Sequence, residues 1–144
     1  MNVATRSRRK ECTRLQITAP NADPASVHAL RHRLEATLHC WGLETVAQTA
    51  ALLASEVLTN AVAHARGGLH SGTPAVRMTV SHRGGTLVVE VGDTSVRLPR
   101  MRQAADEDEN GRGMLLLQAL ADKWGAESVR GGKKVWFTLR VPRS

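Results

Sequence analysis

Between Val76 and Val91 the chain turns apolar at every second residue. "VRMTVSH" carries Val76, Met78 and Val80, "TLVVEV" carries Leu87, Val89 and Val91, and "RGG" stands between the two runs. A period of two belongs to a strand with one wet and one dry face. Two such runs joined through glycines read as a β-hairpin. A lone hairpin is marginal in water, so its dry face must be covered by another layer. That need constrains the fold more than any other feature, because the segments upstream have to supply the cover.

Upstream, the period changes. "NADPASVHALRHRLEATLHCWG" places Val27, Leu30, Leu34, Leu38 and Trp41 at helical spacing. Asp23 suits the N-cap, Pro24 the first helical position and Gly42 the stop. "ETVAQTAALLASEVLTNAVAHARGG" predicts a second helix, with Thr45 and Gln48 as a capping box and Gly67–Gly68 at its end. Leu15–Thr18 reads as a first, edge strand. Downstream, Thr94–Asn110 is polar, aperiodic and too long for a plain connection, which marks a functional loop. "GRGMLLLQALADKWG" resumes helically, with Leu117, Leu120, Ala121 and Trp124 on one face and Gly125 as the stop. "AESVRGGKKVWFTLRVP" predicts a second hairpin turning at Gly131–Gly132. Helices and strands do not alternate strictly. The expected class is therefore α+β, a two-layer sandwich with helices on one face of a mixed, mostly antiparallel sheet.

Composition sets the outer bounds. The chain has 144 residues, one domain's worth, and 42% of them are hydrophobic. Aromatics make up only 3%, so Ala, Leu and Val must build the core. The net charge of +7 favours an anionic partner: a nucleotide, a nucleic acid or an acidic protein. Residues 1–14, "MNVATRSRRKECTR", are expected to form a basic arm without fixed structure, and residues 15–144 the folded domain. The arm lacks the apolar run of a signal peptide, and no segment is expected to span a membrane. Cys12 and Cys40 have neither metal-ligand nor redox spacing, which points to a reduced, cytoplasmic protein.

Three features carry chemistry. In "ASEVLTNAVAHA", Glu56, Asn60 and His64 stand four residues apart. Each such step advances about 40° around a helix, so the three spiral from the polar side toward the stripe of Leu53, Val57 and Ala61. Taken singly, Asn60 and His64 could each be satisfied by a neighbouring loop. In "VVEVGDTS" the strand ends in Asp93 with Ser95 close behind, a carboxylate able to accept hydrogen bonds or simply to sit in a turn. In "GRGMLLL", Gly111 and Gly113 flank Arg112 at a predicted helix start, where backbone N–H groups attract phosphate.

In this order the set E-x-x-x-N-x-x-x-H, D-x-S and G-R-G-M resembles the Bergerat-fold, or GHKL, ATP-binding superfamily of histidine-kinase catalytic domains, gyrase-type ATPases and chaperone ATPases. Within it, the chain is similar to small stand-alone actinobacterial regulators of the anti-sigma-factor serine/threonine kinase type, over about Leu15 to Val141. The resemblance implies ATP and Mg²⁺ as cofactors. Asn60 would hold the metal, Glu56 would be the general base, and His64 would line the pocket. Asp93 would accept a hydrogen bond from the adenine amino group, Ser95 would belong to the cofactor-binding set, and Gly111, Arg112 and Gly113 would wrap the phosphates, with Met114 and Leu115 continuing the wall. Thr94–Asn110 would be the lid. The implied partner is a STAS-type anti-sigma antagonist, and a sigma factor beyond it. A homodimer is compatible with the type, and direct nucleic-acid binding is not expected.

The chain departs from the family pattern in places. "DTSVR" lacks the glycines of the usual D-x-G-x-G, and "GGKKVWF" offers Lys134 where relatives carry a threonine, as either a phosphate contact or a solvated side chain. The acidic run Asp106–Glu109 is either a solvated loop tip or a charge that repels phosphate until the lid rearranges. A second reading stays open, a non-catalytic interaction module gated by nucleotide.

Overall fold

The computed structural model describes residues 13–66, 70–71, 75–93, 96–97, 115–129 and 132–142. Strand β1 (Thr13–Ala19) is followed by helices α1 (Pro24–Cys40) and α2 (Glu44–Arg66). Next come β2 (His70–Ser71), β3 (Val76–Arg83), β4 (Thr86–Asp93) and β5 (Val96–Arg97). Residues 115–120 form the helical segment α3, and β6 (Lys123–Val129) and β7 (Gly132–Arg140) close the chain.

Five strands form one sheet in the order β1-β3-β4-β7-β6. Every described pairing is antiparallel, where the sequence had allowed a mixed sheet. β1 is at the edge, as expected, and starts at Thr13, two residues before the predicted domain boundary. The period-two runs land as read. Leu15, Val80, Val89, Phe137 and Trp124 lie in one register row across all five strands, and Ile17, Met78, Val91, Val135 and Ala126 in the next. Val80, Val89 and Phe137 are fully buried beneath the helices. The β3–β4 turn is Gly84–Gly85, with φ of 60° and 82°. Both residues need the left-handed region, as a two-residue hairpin turn with the twist of its strands requires.

α1 is built as its sequence indicates. The Asp23 carboxylate accepts from the Ser26 backbone N–H at 2.9 Å, and Pro24 opens the helix. At the far end the Leu43 N–H donates to the Leu38 carbonyl and the Gly42 N–H to the His39 carbonyl, the double bond of a Schellman cap. Leu30, Leu34 and Leu38 are buried along one face. α2 lies beside α1 and across β3, β4 and β7. The predicted capping box at Thr45 and Gln48 is absent: the helix begins at Glu44, so Thr45 is already inside it. The acidic Glu44 in the first turn faces the positive helix end instead.

Three further expectations need correction. Glu44–Ala63 is long and apolar enough to cross a membrane, with mean hydropathy 1.2, contrary to the reading that no segment approaches that length. Half of that stretch is buried within the protein, because its apolar stripe faces α1 and the sheet. α3 does not run to Gly125. It ends at residue 120, Ala121 donates back to the Leu117 carbonyl, and the Asp122 carboxylate accepts from the Arg140 backbone N–H as β6 begins. Leu117 is therefore in the core and Leu120 is exposed, while Trp124 and Gly125 are strand residues. The predicted loop also holds Val96–Arg97, which pairs with His70–Ser71. A two-residue strand has no period to read. The second hairpin is present, with Val129 opposite Gly132, so Gly132 belongs to β7 and the joining residues, 130–131, lie outside the described ones.

Candidate functional site

Because α2 lies over β3, β4 and β7, its sequence decides what faces the sheet and what faces its open flank. Leu53 is fully buried and Val57 nearly so, with Ala61 partly buried on the same stripe. Glu56 and Asn60, one turn apart, are half-buried on the flank of that stripe. Among the described residues neither makes a hydrogen bond or an ion pair. On the neighbouring flank the Ser55 Oγ is buried with no hydrogen-bond partner. A carboxylate and an amide one turn apart, neither tied to another described residue, suit a ligand that brings its own cations and donors. An amide oxygen and a nearby carboxylate are also the donor chemistry of Mg²⁺, which takes few protein oxygens and keeps substrate phosphates as its other ligands. His64 falls one turn further along the backbone of α2; its side chain lies outside the described residues.

Asp93 is the last residue of β4, opposite Val76 on β3. It therefore ends a strand that α2 crosses. Ser95, Gly111, Arg112, Gly113 and Met114 lie outside the described residues, as does the acidic run Asp106–Glu109. Leu115 opens α3 and is 67% exposed.

The alternatives left open for Lys134 are settled by register. Val135 and Phe137 point to the helices, so Lys134 points to the opposite face of the sheet. There its ammonium lies 3.6 Å from a Glu127 oxygen and 3.9 Å from a Glu90 oxygen. It is a surface ion-pair residue on the face away from α2. The helix-side position is Lys133, one residue earlier. A step beyond the Gly92–Lys134 pair, it stands next to Asp93 in the ladder. Lys133 was missed from sequence, although alternation back from Val135 marks it.

The profile of the histidine kinase-like ATPase domain family matches residues 21–139. The chain belongs to that family of ATP-binding domains. An uncharacterized protein of Streptomyces coelicolor is 41% identical over 80 residues, which cover 54% of this chain and 74% of that one. Among solved structures, a chain in the crystal structure of the SiaB–SiaC complex from Pseudomonas aeruginosa shares the fold. The TM-score is 0.60 at 17% identity, over 95% of this chain and 96% of that one. The histidine kinase domain of the blue-light activated histidine kinase of Erythrobacter litoralis superposes with a TM-score of 0.50 at 20% identity. That match covers 80% of this chain and spans 61% of the other. These likenesses are of fold: helices on one face of an antiparallel sheet, as the hydrophobic periods required.

Proposed function

We propose that this protein is a cytoplasmic, ATP- and Mg²⁺-dependent serine/threonine kinase of the anti-sigma-factor type. It would phosphorylate a STAS-type antagonist and control a sigma factor by switching partners. The observation that carries the reading is the Glu56–Asn60 pair, half-buried on the helix that crosses β4 and without a partner among the described residues, in a chain of the histidine kinase-like ATPase family. The Asn60 side-chain oxygen would hold Mg²⁺, which when bound neutralises charge on the triphosphate. Glu56 would take the proton of the attacking serine or threonine hydroxyl, a role for which a carboxylate one turn from the metal ligand is well placed. Asp93 would accept from the adenine amino group. His64, Ser95, Gly111, Arg112, Gly113, Met114 and Leu115 would complete the pocket. Lys133, beside Asp93, joins them in place of the threonine of relatives. That a fold relative occurs in a two-protein complex supports the partner-binding half of the reading.

The test is transfer of labelled phosphate from ATP to candidate STAS-type domains. Transfer by the wild type and its loss in Glu56→Ala, with ATP binding retained, supports the kinase. A second reading rests on "DTSVR", which lacks the glycines of relatives: ATP would tune partner affinity without turnover. Tight ATP binding with no transfer to any partner would select it.

A further inference from the structure

The sheet has a second face, and no described helix covers it. The residues that alternate with the core rows build it. One row runs Arg14, Ser81, Val88, Thr138, Lys123, and beside it lies the row Gln16, Thr79, Glu90, Trp136, Gly125. At the turn end, Thr86 sits between Arg83 and Arg140. Arg14, Arg77, Arg83, Lys123 and Arg140 are all exposed on this face, and among the described residues none has an ion-pair partner. The acids Glu90 and Glu127 are engaged by Lys134. With Lys134 counted, six cations share the face with the two carboxylates of Glu90 and Glu127, a surplus of four positive charges among the described residues. Three hydroxyls, of Ser81, Thr86 and Thr138, lie between them.

Trp136 is the aromatic residue in the middle of this field. It is half-buried and stands outside the core cluster that Trp41 and Trp124 adjoin. Its indole lies flat on Gly125 of the neighbouring strand: a β-carbon there would come within 2.7 Å of two ring carbons and 2.8 Å of the ring nitrogen. A glycine that lets an indole lie down on a sheet creates a stacking platform.

We infer that this open sheet face binds single-stranded nucleic acid, with Trp136 stacking on a base and Arg83, Arg140, Arg14 and Lys123 holding the flanking phosphates. Phosphates are bound by arginine, lysine and hydroxyl side chains. Single strands are bound by pairing a positive surface with aromatic platforms, often on an open sheet. A protein partner fits less well. Val88 and Trp136 are the main apolar residues on the face, whereas stable protein interfaces have an apolar core. A second copy of the same face would set one positive surplus against another. The surface lies on the side of the sheet away from α2, so its occupancy is independent of the nucleotide site proposed above.

The test is fluorescence anisotropy of the full chain with a fluorescein-labelled twelve-residue oligo(U), titrated with salt. The wild type is expected to bind with affinity that falls steeply as salt rises. The double variant R83E/R140E should lose at least about tenfold and show a shallower salt slope. Trp136→Leu should lose about five- to one-hundredfold, while Trp136→Phe keeps most of the affinity. ATP binding by R83E/R140E should match the wild type, which separates this surface from the nucleotide site. The inference is overturned by no binding at low salt, or by binding unchanged in these variants, which would assign it to the basic arm. It is also overturned if poly-glutamate binds as tightly as oligo(U) with no effect of Trp136→Leu, which would make the face an acidic-protein site.

Discussion

The proposed function gives Glu56 and Asn60, neighbours across one helix turn, different tasks, and substitutions should separate them. Glu56→Ala is expected to leave ATP affinity within about threefold and to lower phosphate transfer by about 10²–10⁴-fold, the range a general base contributes. A fall in binding alone would show that Glu56 only lines the pocket. Lys133 and Lys134 are neighbours in sequence, yet their side chains leave the sheet on opposite faces. Lys133→Ala should weaken ATP binding, and Lys134→Ala should not; calorimetric titration of both variants reads the difference. At this scale the sequence was legible where spacing carried the information. The helical step put Glu56 and Asn60 on the flank of the Leu53–Val57–Ala61 stripe, and the structure places them there. It was less legible in the last hairpin, where resemblance drew attention to Lys134 although the alternation of Val135 and Phe137 assigns the helix side to Lys133.

Elements were readable in proportion to the length of their periods. β3 and β4 are eight residues each, and their alternation and glycine turn sufficed to place them. α1 carried its cap, its proline and its glycine stop in plain sequence, and each does the expected work. α3 was overextended, because Leu117, Leu120, Ala121 and Trp124 continue a helical period into a stretch that the sheet claims. The deciding interactions are long-range: Asp122 accepts from the Arg140 backbone, and Trp124 pairs with Phe137. Local periodicity does not encode them. Two predictions belong at this level. Leu34, fully buried on the inner face of α1, should cost about 2–5 kcal/mol as Leu34→Ala in urea unfolding. Gly125→Ala should cost about 1–3 kcal/mol by driving a methyl into the Trp136 ring, and should alter Trp136 fluorescence. An unchanged midpoint and spectrum would show that the indole is free to move aside.

The whole molecule is a two-layer body whose faces differ in kind. The helix layer buries the leucines, valines and alanines and carries Glu56 and Asn60 on α2. The opposite face is basic, hydroxylated and centred on one tryptophan. The excess of positive charge over the whole sequence could not say where the charge collects; it took the register of five strands to gather Arg14, Arg77, Arg83, Lys123 and Arg140 on one surface. Fold class was legible because a half-dry hairpin preceded by two amphipathic helices has few ways to cover itself. The proposed function puts the nucleotide on the helix side, and Mg²⁺ binding through Asn60 is its most exposed consequence. The direct measurement is calorimetric titration of the full chain with a non-hydrolysable ATP analogue, with and without Mg²⁺, for the wild type and Asn60→Ala. Saturable binding that Mg²⁺ tightens in the wild type, with that tightening lost in Asn60→Ala, is the expected result. Absence of binding, or identical Mg²⁺-dependent affinity in both proteins, would contradict it.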